Sequence, residues 1–327
     1  VKTNVSADER LRKAIDTDLL ETQGGALNAD QSNAFIDLTV DHSTLLRICR
    51  VVRRTNPKGD IDKMLFGDVV TEGATENTDS GNVYEPTHSK VSYSTEKLRS
   101  ALDLTRETLE ENIEGTGYRS RVMGALGRRI GTDLELLAIQ GDTDYATPTT
   151  RRGRLLSKND GWFKLGLDGH TVDCAGASIS KTIFSMMIRA LPVEFKTNRA
   201  DLRFFCSPSV VQDYRDQLSN RETTLGDNSL TGAGILTVFG VPIVEVPLIP
   251  EDKNSLDGSD VWGDASYIWL TYPSNLIHVI SREIEVWWEY KPRKDAYEST
   301  VYTRTDDIIE NTDAIVTGYD LRIAGAT

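Results

Sequence analysis

The chain has 327 residues, of which 39% are hydrophobic and 27% charged, and its formal net charge is −13. That length can bury a large core, as one large domain or two packed ones, and the composition excludes wholesale disorder. Gripping nucleic-acid phosphates requires a basic surface that gains from counterion release, so the acidic balance excludes a reader of DNA sequence.

Cys49, Cys174 and Cys206 are odd in number and far apart, with no CxxC spacing. Neither a disulfide framework nor a zinc site is indicated, and a reduced intracellular origin fits. No apolar run approaches the roughly 20 residues of a membrane helix. No charged-apolar-small signal peptide opens the chain. Val1 in place of Met fits proteolytic maturation, loss of an initiator Met or an artificial start, and these three stay open.

In chain order, Ser6-Ala-Asp-Glu9 has capping-box spacing ahead of Leu11, Ile15, Leu19 and Leu20, which predicts a short helix in an arm too small to fold alone. From Arg47 to Lys97 the chain reads as strand-like pieces, with Val91, Tyr93 and Thr95 alternating against Ser92, Ser94 and Glu96. The tip, Val69 to Gly81, is small, acidic and turn-rich. One limb carries Arg50, Arg53, Arg54, Lys58 and Lys63, together with Phe66. Two readings stand: a solvated basic strand, or a limb that pairs with acidic patches on neighbouring subunits. An isolated two-stranded ribbon is marginal in water, so it needs another surface, and a second copy of the chain is the natural one.

Leu98, Leu102, Leu109, Ile113, Val122, Leu126, Ile130, Leu134 and Leu137 recur mostly at three or four residues, which predicts one helix from Leu98 to about Gln140. Gly115 and Gly117 predict a bend in its middle, and Gly141 a left-handed cap at its end. Residues 151–173 read as irregular structure or a short hairpin. From Ser178 a mixed unit follows: a helix ending at Pro192, a strand at Leu202–Cys206, and a helix started by Ser207-Pro208. Strands are then predicted at Ile235–Phe239, Val241–Val246, Tyr267–Thr271 and Leu276–Ile280. A ribbon alternating Ile284, Val286, Trp288 and Tyr290 with Glu285, Trp287, Glu289 and Lys291 turns at Pro292-Arg293-Lys294-Asp295. A last strand spans Ile315 to Ile323. The class is α+β rather than doubly wound.

Chemistry is sparse. His42, His88, His170 and His278 show no HExxH or other ligand spacing and read as surface or hydrogen-bonded residues. No GxSxG, GxGxxG or GxxxxGK[ST] occurs. Asp142-Thr-Asp144 opens like a calcium loop but lacks the completing glycine and glutamate, so these aspartates read as turn formers. Glu107, Glu110, Glu111 and Glu114 share a helical face, best read as a solvated acidic surface or an intersubunit ion pair. Trp287-Trp288 puts one ring outward, where a partner would cover it; burial on both faces within one subunit is the competing reading. No catalytic, cofactor or metal residues are assigned. The predicted contacts between subunits are Arg53, Arg54, Lys58, Lys63, Phe66, Glu110, Glu114, Trp287, Arg293 and Lys294.

This ordering of pieces resembles the major capsid proteins of tailed bacteriophages, the Johnson fold. The residues that carry the likeness are LELLAIQGD at Leu134–Asp142, FFCSPSVVQDY at Phe204–Tyr214, FGVPIVEVPLIP at Phe239–Pro250 and YIWLTYPSNLIHVISREIEVWWEY at Tyr267–Tyr290. Each is unspecific alone, and their order over roughly residues 30 to 325 makes the case.

The resemblance implies an N-terminal arm (1–33), a lead-in to the peripheral domain (34–47), an extended β-hairpin loop (48–97), a peripheral domain with a long spine helix (98–175), a compact mixed α/β axial domain (176–281), a peripheral return ribbon (282–311) and a final axial strand (312–327). It implies a non-catalytic subunit that builds pentamers and hexamers of an icosahedral shell around double-stranded DNA, with extended loops lying over adjacent subunits. The acidic surface would tolerate packed DNA without adhering. Portal, scaffold and decoration proteins would be partners, no membrane would be involved, and assembly would occur in the host cytoplasm. Encapsulin shells share the fold and are the alternative, with an unrecognised α+β enzyme behind them. Some family members weld the shell through a loop Lys and a peripheral Asn. Lys58 and Lys63 could donate, but the turn YKPRKDAYE holds no Asn, so self-crosslinking is not expected.

Overall fold

The computed structural model describes residues 43–65, 71, 76, 87–107, 117–144, 149–197, 199–219, 236–251 and 266–323. Strand β1 (Arg50–Arg53) precedes an antiparallel hairpin of β2 (Lys58–Leu65) and β3 (Thr87–Ser94), and β4 (Glu96–Thr105) follows. Helix α1 (Gly117–Gln140) leads to two short helices, α2 (Arg151–Leu156) and α3 (Trp162–Gly166), and to β5 (His170–Asp173). Next come α4 (Lys181–Ala190), β6 (Arg203–Cys206), α5 (Pro208–Ser219), β7 (Thr237–Val238), β8 (Val241–Glu245) and β9 (Ser266–Thr271). The chain closes with β10 (Leu276–Lys291), β11 (Ala296–Ile309) and β12 (Ile315–Leu321).

The strands form a four-stranded sheet in the order β1-β10-β11-β4 and a six-stranded sheet in the order β5-β12-β9-β6-β8-β7, with β2-β3 apart. The six-stranded sheet is covered on both faces. Phe204, Ile268, Leu270 and Val316 point into a core with Ile183, Phe184, Met187 and Val210 of α4 and α5. Phe205, Tyr267 and Trp269 point the other way, into a core with α1 and α3 that also holds Leu276, Ile280 and Val301 of the four-stranded sheet. Every residue of β9 is buried, as a central strand covered twice requires. Fully burying each such side chain is worth about 1.5–3 kcal/mol.

The predicted helix from Leu98 is corrected at its start. Residues 96–105 are strand β4, paired antiparallel with β11 from Glu96↔Thr305 to Thr105↔Ala296, whereas Arg106 and Glu107 are helical and α1 is described over Gly117–Gln140. A leucine spacing of four satisfies a period of two as well as 3.6. The ten-residue ladder to β11 decides the matter: Leu98, Ser100, Leu102 and Leu104 turn inward while Lys97, Arg99, Ala101 and Asp103 are exposed. The bend expected at Gly115 and Gly117 falls where residues 108–116 lie outside the described residues. The 24 described residues of α1 span about 36 Å.

Gly141 is not a left-handed cap, since the positive-φ glycines are Gly176 and Gly240. Its reason is close approach: a Cβ there would lie 2.3 Å from the Asn159 carbonyl oxygen. The Gly161 N–H donates to the Gly141 carbonyl at 2.8 Å, so two backbones cross where no side chain fits. Residues 151–173, expected to be irregular, instead form α2, α3 and β5. The Thr150 hydroxyl caps α2 by accepting from Gly153 N–H, and buried Trp162 and Phe163 pin α3 to the core.

Leu276–Ile280 is not a separate strand either, because β10 runs unbroken from Leu276 to Lys291 with a bulge between Ile280 and Glu285. The expected boundary at 281–282 thus falls inside one strand. The loop hairpin also departs from expectation, for its root does not wait for another copy. Ile61 and Tyr93 pack on Ile277, Val279 and Ile308 of the same chain as a third small core. The N-terminal helix and the acidic tip expected at 69–81 lie outside the described residues, Thr71 and Glu76 excepted.

Candidate assembly surfaces

Alternation along β4, β10 and β11 leaves one face of the four-stranded sheet outward. Register places Lys97 and Arg304 in one row across it, then Arg99 and Tyr302, then Ala101, Thr300 and Trp287, and last Asp103, Glu298 and Glu289. The face is therefore positive at the end nearest the hairpin root and negative at the far end. Trp287, 45% exposed, stands between them. The Lys97 ammonium lies 4.2 Å from the centre of the Tyr302 ring, a cation–π contact that holds it on this face.

The predicted contact residues distribute as follows. Arg53, Arg54 and Lys58 are exposed at the hairpin root. Lys63 is half-buried, and its Nζ donates to the Glu310 carbonyl of its own chain at 3.1 Å, so it is engaged within the subunit. Arg293 and Lys294 are exposed in the turn between β10 and β11, where Lys294 bridges Glu298 at 2.7 Å and Asp103 at 3.9 Å. Phe66, Glu110 and Glu114 lie outside the described residues. Trp287 thus shares a surface with residues at both charged ends, whereas Lys63 faces inward.

Sequence reasoning missed the polar groups that fix this surface. Glu135 of α1 is 2% exposed, and its two carboxylate oxygens accept from Thr44 N–H and Leu45 N–H, both at 2.8 Å. Burial raises its pKa while the two backbone donors pull it down. The carboxylate thereby ties the chain's approach to β1 onto the helix. At the hairpin root, Thr95 Oγ1 lies 2.5 Å from Ser281 Oγ, and Thr95 N–H donates to the Pro57 carbonyl. Asp306 accepts from Ser94 N–H at 2.7 Å. Burial pushes the Asp306 carboxyl up to about 6, opposed by that N–H and assisted by the charge of Asp307.

His278 Nδ1 meets Asp307 Oδ1 at 2.6 Å, and the two side chains are 1% and 0% exposed. This is a hydrogen-bonded histidine of the kind the sequence suggested, and only its partner was illegible. Lys164 Nζ is surrounded by Asp142, Asp144 and Asp160 at 2.7, 2.6 and 2.9 Å. Burial works to lower the lysine pKa and is outweighed by those three hydrogen bonds, so the ammonium stays charged. The aspartates that opened like a calcium loop are turn formers around a lysine cation. Asp144 N–H donates to Asp142 Oδ1 within that turn.

The three cysteines are free, and burial raises all three thiols, Cys174 to about 12. Among the described residues no group of three or more His, Cys, Asp or Glu could hold a metal ion. No described helix is long and apolar enough to cross a membrane.

No family model matches the chain. A putative prophage capsid protein, YqbE of Bacillus subtilis (strain 168), is 29% identical over 296 residues, which is 89% of this chain and 91% of that protein. A chain of the satellite phage P4 procapsid including its size-determination (Sid) protein superposes with a TM-score of 0.66 at 15% identity, covering 97% of this chain and 98% of that one. The SrpI encapsulin of Synechococcus elongatus PCC 7942 superposes at 0.54 with 10% identity, covering 86% and 89%. The fold is the Johnson fold of phage major capsid proteins. In sequence the chain is similar to a prophage capsid protein, and in fold to the major capsid proteins of tailed phages.

Proposed function

We propose that this chain is a non-catalytic structural subunit that forms pentamers and hexamers of an icosahedral shell around phage double-stranded DNA. The observation that carries this reading is the near-complete two-way coverage of the phage P4 procapsid chain, 97% and 98%. The exposed tryptophan on a polarised sheet face supports it, because such faces are covered in assemblies.

Assembly in the host cytoplasm, portal, scaffold and decoration partners, and the division into arm, extended loop, peripheral and axial domains belong to the same proposal. The extended loop would then be rooted on its own subunit through Ile61 and Tyr93. Absence of self-crosslinking also belongs to it: Lys63 is bonded to Glu310, and Tyr290–Tyr297 contains no Asn.

The test is electron microscopy of the purified full chain with nucleic-acid absorbance of nuclease-treated particles. Closed particles tens of nanometres across, filled with protected DNA when produced in a complete phage background, are expected. A protein cargo in place of DNA would favour the encapsulin reading, and a small soluble oligomer would favour the enzyme. On denaturing gels the particles should dissolve to monomer bands.

A further inference from the structure

We propose that strand β4 pairs edge to edge with β4 of a second copy, antiparallel about a two-fold axis at Ser100, so that Lys97 of each copy faces Asp103 of the other. This seam rests on the shell reading above and adds to it one isologous contact, which the two-fold axes of an icosahedral lattice accommodate.

Three observations carry it. First, β4 is the outer strand of its sheet, and no described strand pairs with its other side. It lacks most of the devices that keep edges apart. Its ten residues stay in unbroken register with β11, with no Pro, no Gly and no bulge. From Leu98 to Leu104 its inward side chains are Leu, Ser, Leu and Leu, without a charge.

Second, the phase of its hydrogen bonds leaves donors and acceptors on the open side. Arg106 N–H donates to the Asp295 carbonyl at 2.9 Å, in the register that continues the β4–β11 ladder. The even-numbered residues of β4 therefore bond to β11, and the N–H and C=O groups of Lys97, Arg99, Ala101 and Asp103 point away from it. Thr95, in the same phase as these, sends its N–H to the Pro57 carbonyl, so the open edge begins at Lys97.

Third, the edge is complementary to itself. Within its own subunit Lys97 stands opposite Arg304 and Asp103 opposite Glu298, a like charge in each case. Lys294 reaches Asp103 at 3.9 Å but is held on Glu298 at 2.7 Å. Antiparallel pairing about Ser100 sets Lys97 against Asp103 in both directions, and opposite charges facing across strands stabilise a sheet. It also sets Leu98 against Leu102, the two leucines of β4 that its own core leaves half-buried. Centring on Ala101 instead would put Leu98 against Leu104, which is already buried, and Leu102 against Ser100.

The experiment places one cysteine in the full chain and oxidises assembled particles before denaturing, non-reducing electrophoresis. Two Ser100 residues at the axis form a non-hydrogen-bonded pair with Cα atoms about 4.5 Å apart, within disulfide reach. Two Asp103 residues would lie about 20 Å apart at roughly 3.3 Å per residue. S100C should therefore give about tenfold more covalent dimer than D103C. The unaltered chain, whose three thiols are raised by burial, sets the background.

Assembly supplies a second readout. Ala101→Pro removes an outward N–H and leaves the β11 ladder whole, as edge strands tolerate, so particle yield should fall about tenfold while the unassembled chain keeps the parent's circular dichroism and melting. D103K should lower the yield as well, and K97D/D103K should restore it to within a few-fold of the unaltered chain. Where Ala101→Pro alters the fold, the cysteine comparison decides.

Equal dimer from S100C and D103C, or more from A101C than from S100C, would overturn the seam. Normal yield from a folded Ala101→Pro variant would do the same, and each of these results leaves the shell reading intact. Absence of particles from the unaltered chain would instead contradict the shell reading.

Discussion

Glu135 shows how much one buried carboxylate can organise. It satisfies two backbone N–H groups that otherwise have no acceptor in the core, and an unsatisfied buried donor costs about 1–3 kcal/mol. Glu135→Ala should therefore lower unfolding free energy by about 3 kcal/mol in urea titration, and Glu135→Gln, which keeps one acceptor oxygen, by less. Equal losses would show that packing, not acceptance, is the cause.

Asp306 makes the opposite prediction. Its folded pKa, about 6, lies above the ordinary carboxylate value of 3.8. Ionisation is thus penalised in the folded state: the penalty is absent below the ordinary value and complete above the folded one. Stability of the unassembled chain should fall as pH rises from about 4 to about 6. Asp306→Asn should remove that fall, gaining about 2 kcal/mol at pH 7 and nothing at pH 4. A gain that is the same at both pH values would refute the assignment. Neither residue was legible in the sequence, because each acts on a partner 90 or more positions away in the case of Glu135 and 212 in the case of Asp306.

Elements were legible where periodicity had a single solution. The Ser207-Pro208 start, the buried strand at Phe204–Cys206 and the alternation of Val91, Tyr93 and Thr95 all follow from local rules, and each stands in the fold. The stretch from Leu98 did not have a single solution. Its leucines suit a helix and a strand equally, and only β11, nearly two hundred residues later, settles the choice.

Gly141 was misread for a related reason. Its cause is a crossing backbone, not its own φ angle. Gly141→Ala should accordingly destabilise by about 2 kcal/mol or more through overpacking against Asn159. A left-handed glycine would lose about 1 kcal/mol for conformational reasons and would tolerate Asn, so a Gly141→Asn variant as stable as the parent would contradict the crossing.

At the scale of the whole molecule, the chain carries an excess of negative charge yet sets Lys97 opposite Arg304, with Arg99 in the next row, on one sheet face. The class was readable because the motifs at Leu134–Asp142, Phe204–Tyr214, Phe239–Pro250 and Tyr267–Tyr290 follow one another in an order that resembles phage capsid proteins. The surface was only half readable. Trp287 and the turn at Arg293 and Lys294 stood out by residue type, whereas the polarity of the face depends on strand register that no local pattern contains.

The central claim is that this polarised face is covered in a closed lattice of identical chains. A cryo-electron-microscopy reconstruction of the assembled protein tests it most directly. An icosahedral shell in which a neighbouring copy lies over Lys97, Arg304 and Trp287 is the predicted result. A discrete small oligomer, or a shell in which that face is bare, would contradict it.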